Sequence, residues 1–184
     1  MKLFARFAAA LALVVAVAVS LPAAAAVPTG TPHLYLKLKD GLVDILLEPN
    51  LAPKHVERIV ELTNQGFYDG LTFHRVIPGF MAQTGDPKGD GSGGSTLPDL
   101  KAEFSQEPFV RGTLGMARAE DPDSANSQFF IMFADGSFLN GQYTVFGKVV
   151  SGMQFVDNIK KGDEANNGTV TDPDKIISAK IVYR

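Results

Sequence analysis

The run Leu71-Thr72-Phe73-His74-Arg75-Val76-Ile77-Pro78-Gly79-Phe80-Met81-Ala82-Gln83-Thr84-Gly85-Asp86 sets one permanent cation, Arg75, among apolar side chains, with the amide of Gln83 eight positions further on. A guanidinium keeps its charge inside a protein, so Arg75 serves as a fixed hydrogen-bond donor and not as an acid or a base. Two further blocks, Ser127-Gln128-Phe129-Phe130-Ile131 and Val145-Phe146-Gly147-Lys148-Val149, add an amide, aromatic rings and small apolar side chains. Chemistry that makes and breaks covalent bonds finds less support. The chain has no cysteine, which excludes disulfides, thiolate catalysis and Cys-ligated zinc. His33, His55 and His74 show neither the pairing nor the local spacing of a metal site. His55 reads most simply as a surface residue of a helix. His74 reads as a packed histidine on the inner face of a strand, with its neighbour Arg75 on the opposite face. No serine stands in a Gly-x-Ser-x-Gly elbow, so a hydrolase triad is unsupported. Gly89-Asp90-Gly91-Ser92-Gly93-Gly94 matches the dinucleotide fingerprint in form but lacks a strand–turn–helix setting, and reads as a surface loop. The aspartates around it lack the regular spacing and closing Glu of a calcium hand.

The elements that position these residues follow from periodicity. Leu34, Leu36 and Leu38 alternate with Tyr35, Lys37 and Lys39, as in a half-buried strand. Asp40-Gly41 signals a tight turn, with Leu42 to Glu48 returning as the hairpin partner. Pro53 can open a helix, since its missing N–H has no partner at that position in any case. Val56, Ile59, Val60 and Thr63 then mark one helical face, and Gly66 offers a stop. Leu71 to Val76 reads as strand, and Gly85 to Leu100 as a Gly/Ser/Pro-rich loop. Further strands are expected at Thr113 to Arg118, Gln128 to Phe133, Tyr143 to Val149 and Lys175 to Tyr183. A second short helix fits Met153, Val156 and Ile159, ending at Gly162. Many short strands, two helices and no repeat point to an antiparallel barrel with helices over its ends. Most of the thirteen phenylalanines are core material for such a barrel. Phe129 and Phe130, adjacent on one strand, must face opposite sides.

At 184 residues the chain suits one domain with a sizeable core and is too short for two ordinary ones. The net charge of −3, with no basic cluster, leaves no electrostatic footprint for nucleic acid. Residues 1–26 read as an export signal, cleaved to leave a domain over 27–184. Lys2 and Arg6 form a basic start, Ala8 to Leu21 is uncharged and apolar, and Pro22 with four alanines offers Ala24 and Ala26 to a signal peptidase. The alternative is an uncleaved anchor, because the uncharged run is long enough to span a bilayer, which takes roughly 20 residues.

Taken together, in order and spacing from about Leu34 to Val182, the three blocks closely resemble the cyclophilins, the cyclosporin-binding family of peptidyl-prolyl cis-trans isomerases. The resemblance implies a mainly β fold, a closed eight-stranded antiparallel barrel with two capping α-helices, and an enzyme that needs no cofactor and no metal. It assigns Arg75 as the catalytic donor to the prolyl nitrogen. Phe80, Met81, Phe130 and Leu139 match the positions that form the pocket for the substrate proline ring. Gln83 is expected to bond the substrate backbone, and Ala117, Arg118, Ala119 and Gln128 to line the neighbouring groove. Three positions depart from many eukaryotic cyclophilins: Phe138 stands where Trp is common, Tyr143 where His is common and Arg118 where Asn is common. Losing the indole removes contact area and an N–H donor, so cyclosporin binding is expected to be weak. Phe138 and the export signal together resemble the bacterial periplasmic cyclophilins. The expected partners are proline-containing segments of unfolded or partly folded exported proteins, met by a monomer. Two rivals stay open at this stage: a peptide-binding chaperone with incidental isomerase activity, and a membrane-anchored assembly factor.

Overall fold

The computed structural model describes residues 29–184, so the expected export signal at 1–26 lies outside the described residues. The first expected hairpin is present as β1 (Pro32–Lys37) and β2 (Leu42–Leu47), joined at Asp40-Gly41 with the Leu38 amide bonded to the Gly41 carbonyl at 2.8 Å. Leu34, Leu36, Val43 and Ile45 are wholly buried, as their alternation requires. Helix α1 (Pro53–Asn64) begins at Pro53, and Gly66 follows its end at φ 72°. Its buried face carries His55, Val56, Arg58, Ile59, Leu62 and Thr63.

His55 is thus a core residue and not the surface residue expected. Its ring is fully buried, with Nδ1 2.6 Å from Oε2 of Glu103. The Glu103 carboxylate also accepts the backbone N–H groups of Lys54 and His55, replacing the cap that Ala52 cannot supply. The partner arrives from 48 residues away, which is why local sequence gave no sign of it. Burial pulls the His55 pKa below its ordinary value although the adjacent Glu103 opposes this.

Six further strands follow: β3 (Arg75–Ile77), β4 (Met81–Thr84), β5 (Thr113–Met116), β6 (Phe129–Met132), β7 (Val145–Ser151) and β8 (Ser178–Tyr183). The short helix α2 (Met153–Asp157) precedes β8 and stops well before Gly162. The strands form one antiparallel sheet in the order β3-β4-β6-β5-β7-β2-β1-β8. Among the described residues the fold is mainly β with eight strands and two α-helices, but the expected closed barrel is not what the strand ladders make. They leave β3 and β8 as the two ends of an open, curled sheet.

The expected strand Leu71 to Val76 explains the gap, since only Arg75–Ile77 joins a ladder. The preceding backbone bonds to an irregular stretch before β8: Phe73 N–H to the Asp174 carbonyl at 2.9 Å, and Ile176 N–H to the Leu71 carbonyl at 2.9 Å. Two antiparallel bridges, Thr72 with Lys175 and Arg75 with Thr169, stand in for the missing ladder.

Two apolar clusters divide along β6. Phe129 enters the main core with Leu34, Ile45, Phe73 and Phe146, while Phe130 turns to a second cluster with Met81, Phe109, Met132, Leu139 and Val145. Each phenyl ring withdrawn from water in this way contributes about 1.5–3 kcal/mol. The alternation expected of adjacent residues on a strand therefore separates the fold's core from the floor of a surface hollow.

Candidate active site

Register sets the site. Arg75 on β3 faces Gln83 on β4, Gln83 faces Phe130 on β6, and Phe130 faces Gly115 on β5. These four residues form one rank across four strands on one face of the sheet. Gly115 is needed there because a Cβ would collide with the rings of Phe130 and Phe109, which stack over it with centroids 5.7 Å apart. Met81 joins the same face two residues before Gln83 and is buried.

The Arg75 guanidinium is half-buried and held from two sides. Nη1 donates to Oε1 of Gln83 at 3.1 Å, Nη2 to Oδ1 of Asn167 at 2.9 Å, and Nε to the Asn167 carbonyl at 3.0 Å. A guanidinium carries five N–H donors, so among the described residues one on Nη1 and one on Nη2 remain unspent. Burial lowers the Arg75 pKa from its ordinary value, with Tyr143 opposing the shift. An arginine starts so far above neutrality that the cation persists.

Gln83 is oriented in turn. Its amide NH₂ donates to Oε1 of Gln128 at 2.9 Å, and Gln128 donates to the carbonyls of Gly91 at 3.0 Å and Gly93 at 2.7 Å. Two carbonyls at the far end fix the polarity of the whole chain, leaving the Gln83 carbonyl to face Arg75. The Gly-rich loop is therefore more than the surface loop expected. It anchors this chain, and buried Asp86 shapes it by accepting the backbone N–H groups of Lys88, Asp90 and Gly91 at 2.8, 3.1 and 2.6 Å.

Beside the guanidinium lies a hollow of about 280 Å³. Met81, Phe130 and Leu139 give it apolar walls, and Phe80 and Phe138 close one rim with their rings 5.4 Å apart. Leu139 is buried in the single helical turn Ser137–Leu139, whereas Phe138 is 62% exposed. Tyr143 stands edge-on to Phe130 at 5.9 Å, and the Arg118 guanidinium lies 4.5 Å over the Tyr143 ring. Arg118 also donates to the carbonyls of Ala119, Glu120 and Gln142, tying the two loops that flank the hollow.

Ala117 and Arg118 form the divide between this hollow and a more polar groove of about 410 Å³, whose lining includes Gln83, Ala119, Gln128 and Gly91 to Ser95. All twelve site residues expected from sequence line one space or the other. His74 is buried as expected, and burial lowers its pKa despite the opposing Asp86 charge. Two contributors escaped sequence reading. Asn126 holds the groove wall by accepting from Ser95 and donating to Leu97 and Asp99. Asn167 grips Arg75 from 92 residues away, a separation at which no local spacing could have signalled it.

A family model described as cyclophilin type peptidyl-prolyl cis-trans isomerase/CLD matches residues 33–181. A probable peptidyl-prolyl cis-trans isomerase of Brucella suis is 64% identical over 169 residues, covering 86% of this chain and 85% of the relative. Peptidyl-prolyl cis-trans isomerase B of Bacillus subtilis is 47% identical over 132 residues, covering 70% of this chain and 91% of the relative. Among solved structures, a cyclophilin type isomerase of Cryptosporidium parvum, crystallised in the presence of the dipeptide Ala-Pro, superposes with a TM-score of 0.75 at 29% identity. That match covers 83% of this chain and 99% of the other. The chain belongs to the cyclophilin family and is a cyclophilin-type peptidyl-prolyl cis-trans isomerase.

Proposed function

We propose that this isomerase accelerates rotation about X–Pro bonds in exported proteins and so assists their folding, with Arg75 as its catalytic residue. The observation that carries the reading is the Arg75 guanidinium, fixed by three acceptors at the edge of an apolar hollow with two N–H groups unspent. Rotation about an X–Pro bond meets a barrier of roughly 18–20 kcal/mol set by amide resonance. No covalent bond breaks, so the task is to favour the twisted amide. In that state the prolyl nitrogen regains its lone pair and becomes a hydrogen-bond acceptor. A donor already fixed in place meets an acceptor that is strong only at the transition state.

Magnitudes divide the work. A 10⁴-fold acceleration needs about 5.5 kcal/mol, and one charge-assisted hydrogen bond contributes about 1.5–3 kcal/mol. The rest falls to Phe80, Met81, Phe130 and Leu139, which clamp the ring while the preceding carbonyl turns, and to Gln83, which bonds the flanking backbone. Phe138 and Tyr143 close the rim and wall of the hollow. The groove past Ala117, Arg118, Ala119 and Gln128 receives the extended chain next to the proline. Most of this affinity comes from backbone and proline, so selectivity for side chains is broad.

Export rests on the features of residues 1–26, and we place the mature enzyme in the bacterial periplasm as a monomer. The isomerase reading is tested by protease-coupled turnover of proline peptides with Arg75→Ala. The variant is expected to lose about 10- to 100-fold in kcat/KM, the equivalent of roughly 1.5–3 kcal/mol. Near-wild-type turnover by a folded Arg75→Ala protein would sink the assignment. The compartment has its own test, because mass spectrometry of protein from the native host is expected to find an N-terminus near Ala26 or Val27. Intact Met1 on membrane-associated protein would replace export with anchoring.

A further inference from the structure

Asn167 ends a single helical turn, Glu164–Asn166, that is capped by the Asp163 side chain accepting from the Ala165 amide. It adopts a left-handed conformation, φ 53° and ψ 29°, which asparagine tolerates better than other non-glycine residues. Gly168 follows at φ 77°, where a Cβ would collide with Ile77. The turn is fastened to both chain neighbours of Arg75. Val76 N–H bonds the Gly168 carbonyl at 2.7 Å, Gly162 N–H bonds the Val76 carbonyl at 2.8 Å, and Val170 N–H bonds the His74 carbonyl at 3.0 Å. The strand that carries the cation therefore also carries the turn that grips it.

We propose that Asn167 is a positioning residue for catalysis, aiming the Arg75 guanidinium at the prolyl nitrogen. This rests on Arg75 being the catalytic donor. The carbonyl and Oδ1 of one residue take Nε and Nη2, while Gln83 takes Nη1. Acceptors at three nitrogens stop the planar group from rotating about its own long axis, so its two free N–H groups keep one direction. Both groups supplied by Asn167 are neutral. They hold the cation without cancelling the charge that strengthens its bond to the twisted amide. An arginine lacking this grip would still fill the site and would still attract substrate, but it would spread its donors over several orientations. The cost then falls on the transition state and spares ground-state binding.

The test is a double-mutant cycle on the full-length protein, read by protease-coupled isomerisation with kcat and KM separated. Asn167→Gly keeps the left-handed backbone and the backbone carbonyl and removes only the side-chain acceptor. It is expected to lower kcat by about 3- to 10-fold, the loss of part of one hydrogen bond to a charged group, with KM little changed. In an Arg75→Ala background the same substitution is expected to have no further effect. Wild-type kcat in Asn167→Gly beside a crippled Arg75→Ala would overturn the positioning role and leave the Arg75 assignment standing. An equal loss in both backgrounds would reduce Asn167 to a structural residue of the turn. Full activity in Arg75→Ala would remove the assignment and this inference together.

Discussion

Gly115 lines neither the hollow nor the neighbouring groove, yet the floor of the hollow depends on it. Its backbone is in an ordinary conformation, so Gly115→Ala introduces no strain of its own, and the whole effect comes from one methyl group. That methyl must share space with the Phe130 and Phe109 rings. On the other sides Phe130 packs with Met81, Met132 and Leu139, so the ring's exit leads into the hollow. Overpacking of this kind costs roughly 1–3 kcal/mol. For a domain of this size about 1 kcal/mol corresponds to about 2–4 °C in Tm, so a fall of about 4–8 °C is expected for the middle of that range. A ring pushed into the hollow shortens it for the proline, and KM for a proline peptide is expected to rise by about tenfold, equivalent to about 1.4 kcal/mol of binding. Adding Phe130→Leu should recover the melting temperature, because a smaller side chain vacates the collision, without recovering KM. Thermal unfolding and the isomerisation assay read the two effects separately. If Gly115→Ala melts and turns over like the wild type, or if Phe130→Leu gives no recovery in Tm, the account of the pocket floor is wrong.

Two further outcomes follow from residues already placed. Phe138 lies at the rim with most of its ring exposed; Phe138→Trp is expected to tighten cyclosporin binding by one to two orders of magnitude, from a regained hydrogen bond and aromatic contact worth about 2–3 kcal/mol together. Turnover should stay within a few-fold, and unmoved cyclosporin affinity in a titration would shift the cause to Tyr143 or Arg118. His55 and His74 both have pKa values depressed in the folded state by burial, so between neutrality and acid the unfolded chain binds more protons than the native one. Stability is therefore expected to fall as pH drops below about 6.5, the ordinary value for histidine, with Glu103, also depressed, adding to the loss below the ordinary carboxylate range. Urea unfolding at a series of pH values should show a flatter profile for His55→Gln; a slope unchanged by that substitution would remove the histidine from the acid response.

Much of the site was legible because its information is local. Arg75 and Gln83 fall in one contiguous segment, and their facing positions on β3 and β4 follow from the tight Pro78-Gly79 turn between them. Phe129 and Phe130 had to part to opposite faces whatever their partners. Pro53 opened its helix where a missing N–H is harmless. The failures share a different cause. His55 looked exposed because its neighbour Val56 carries the helical stripe, yet His55 lies on the buried face with Ile59 and Leu62, and the Glu103 carboxylate that satisfies its ring comes from 48 residues away. Leu71 to Val76 has strand composition, but ladder pairing needs a partner strand alongside, and most of this segment meets irregular backbone instead. Asn167-Gly168 carries the sequence signal of a left-handed turn, but nothing local says that its carbonyl and Oδ1 reach a guanidinium 92 residues away.

The open ladder between β3 and β8 has a consequence for an enzyme that acts on proline-containing peptides. An exposed strand edge is a template on which any extended peptide, a substrate included, can add. Here the bare flank of β3 is already taken by Gly162 and Gly168, and the Ala179 amide at the start of β8 is taken by the Asp69 carboxylate at 2.7 Å. An extended peptide therefore finds the middle of the β3 edge and the first outward amide of β8 already bonded. An isomerase built on an incomplete sheet thus spends part of its own backbone and one carboxylate on blunting the sheet's ends.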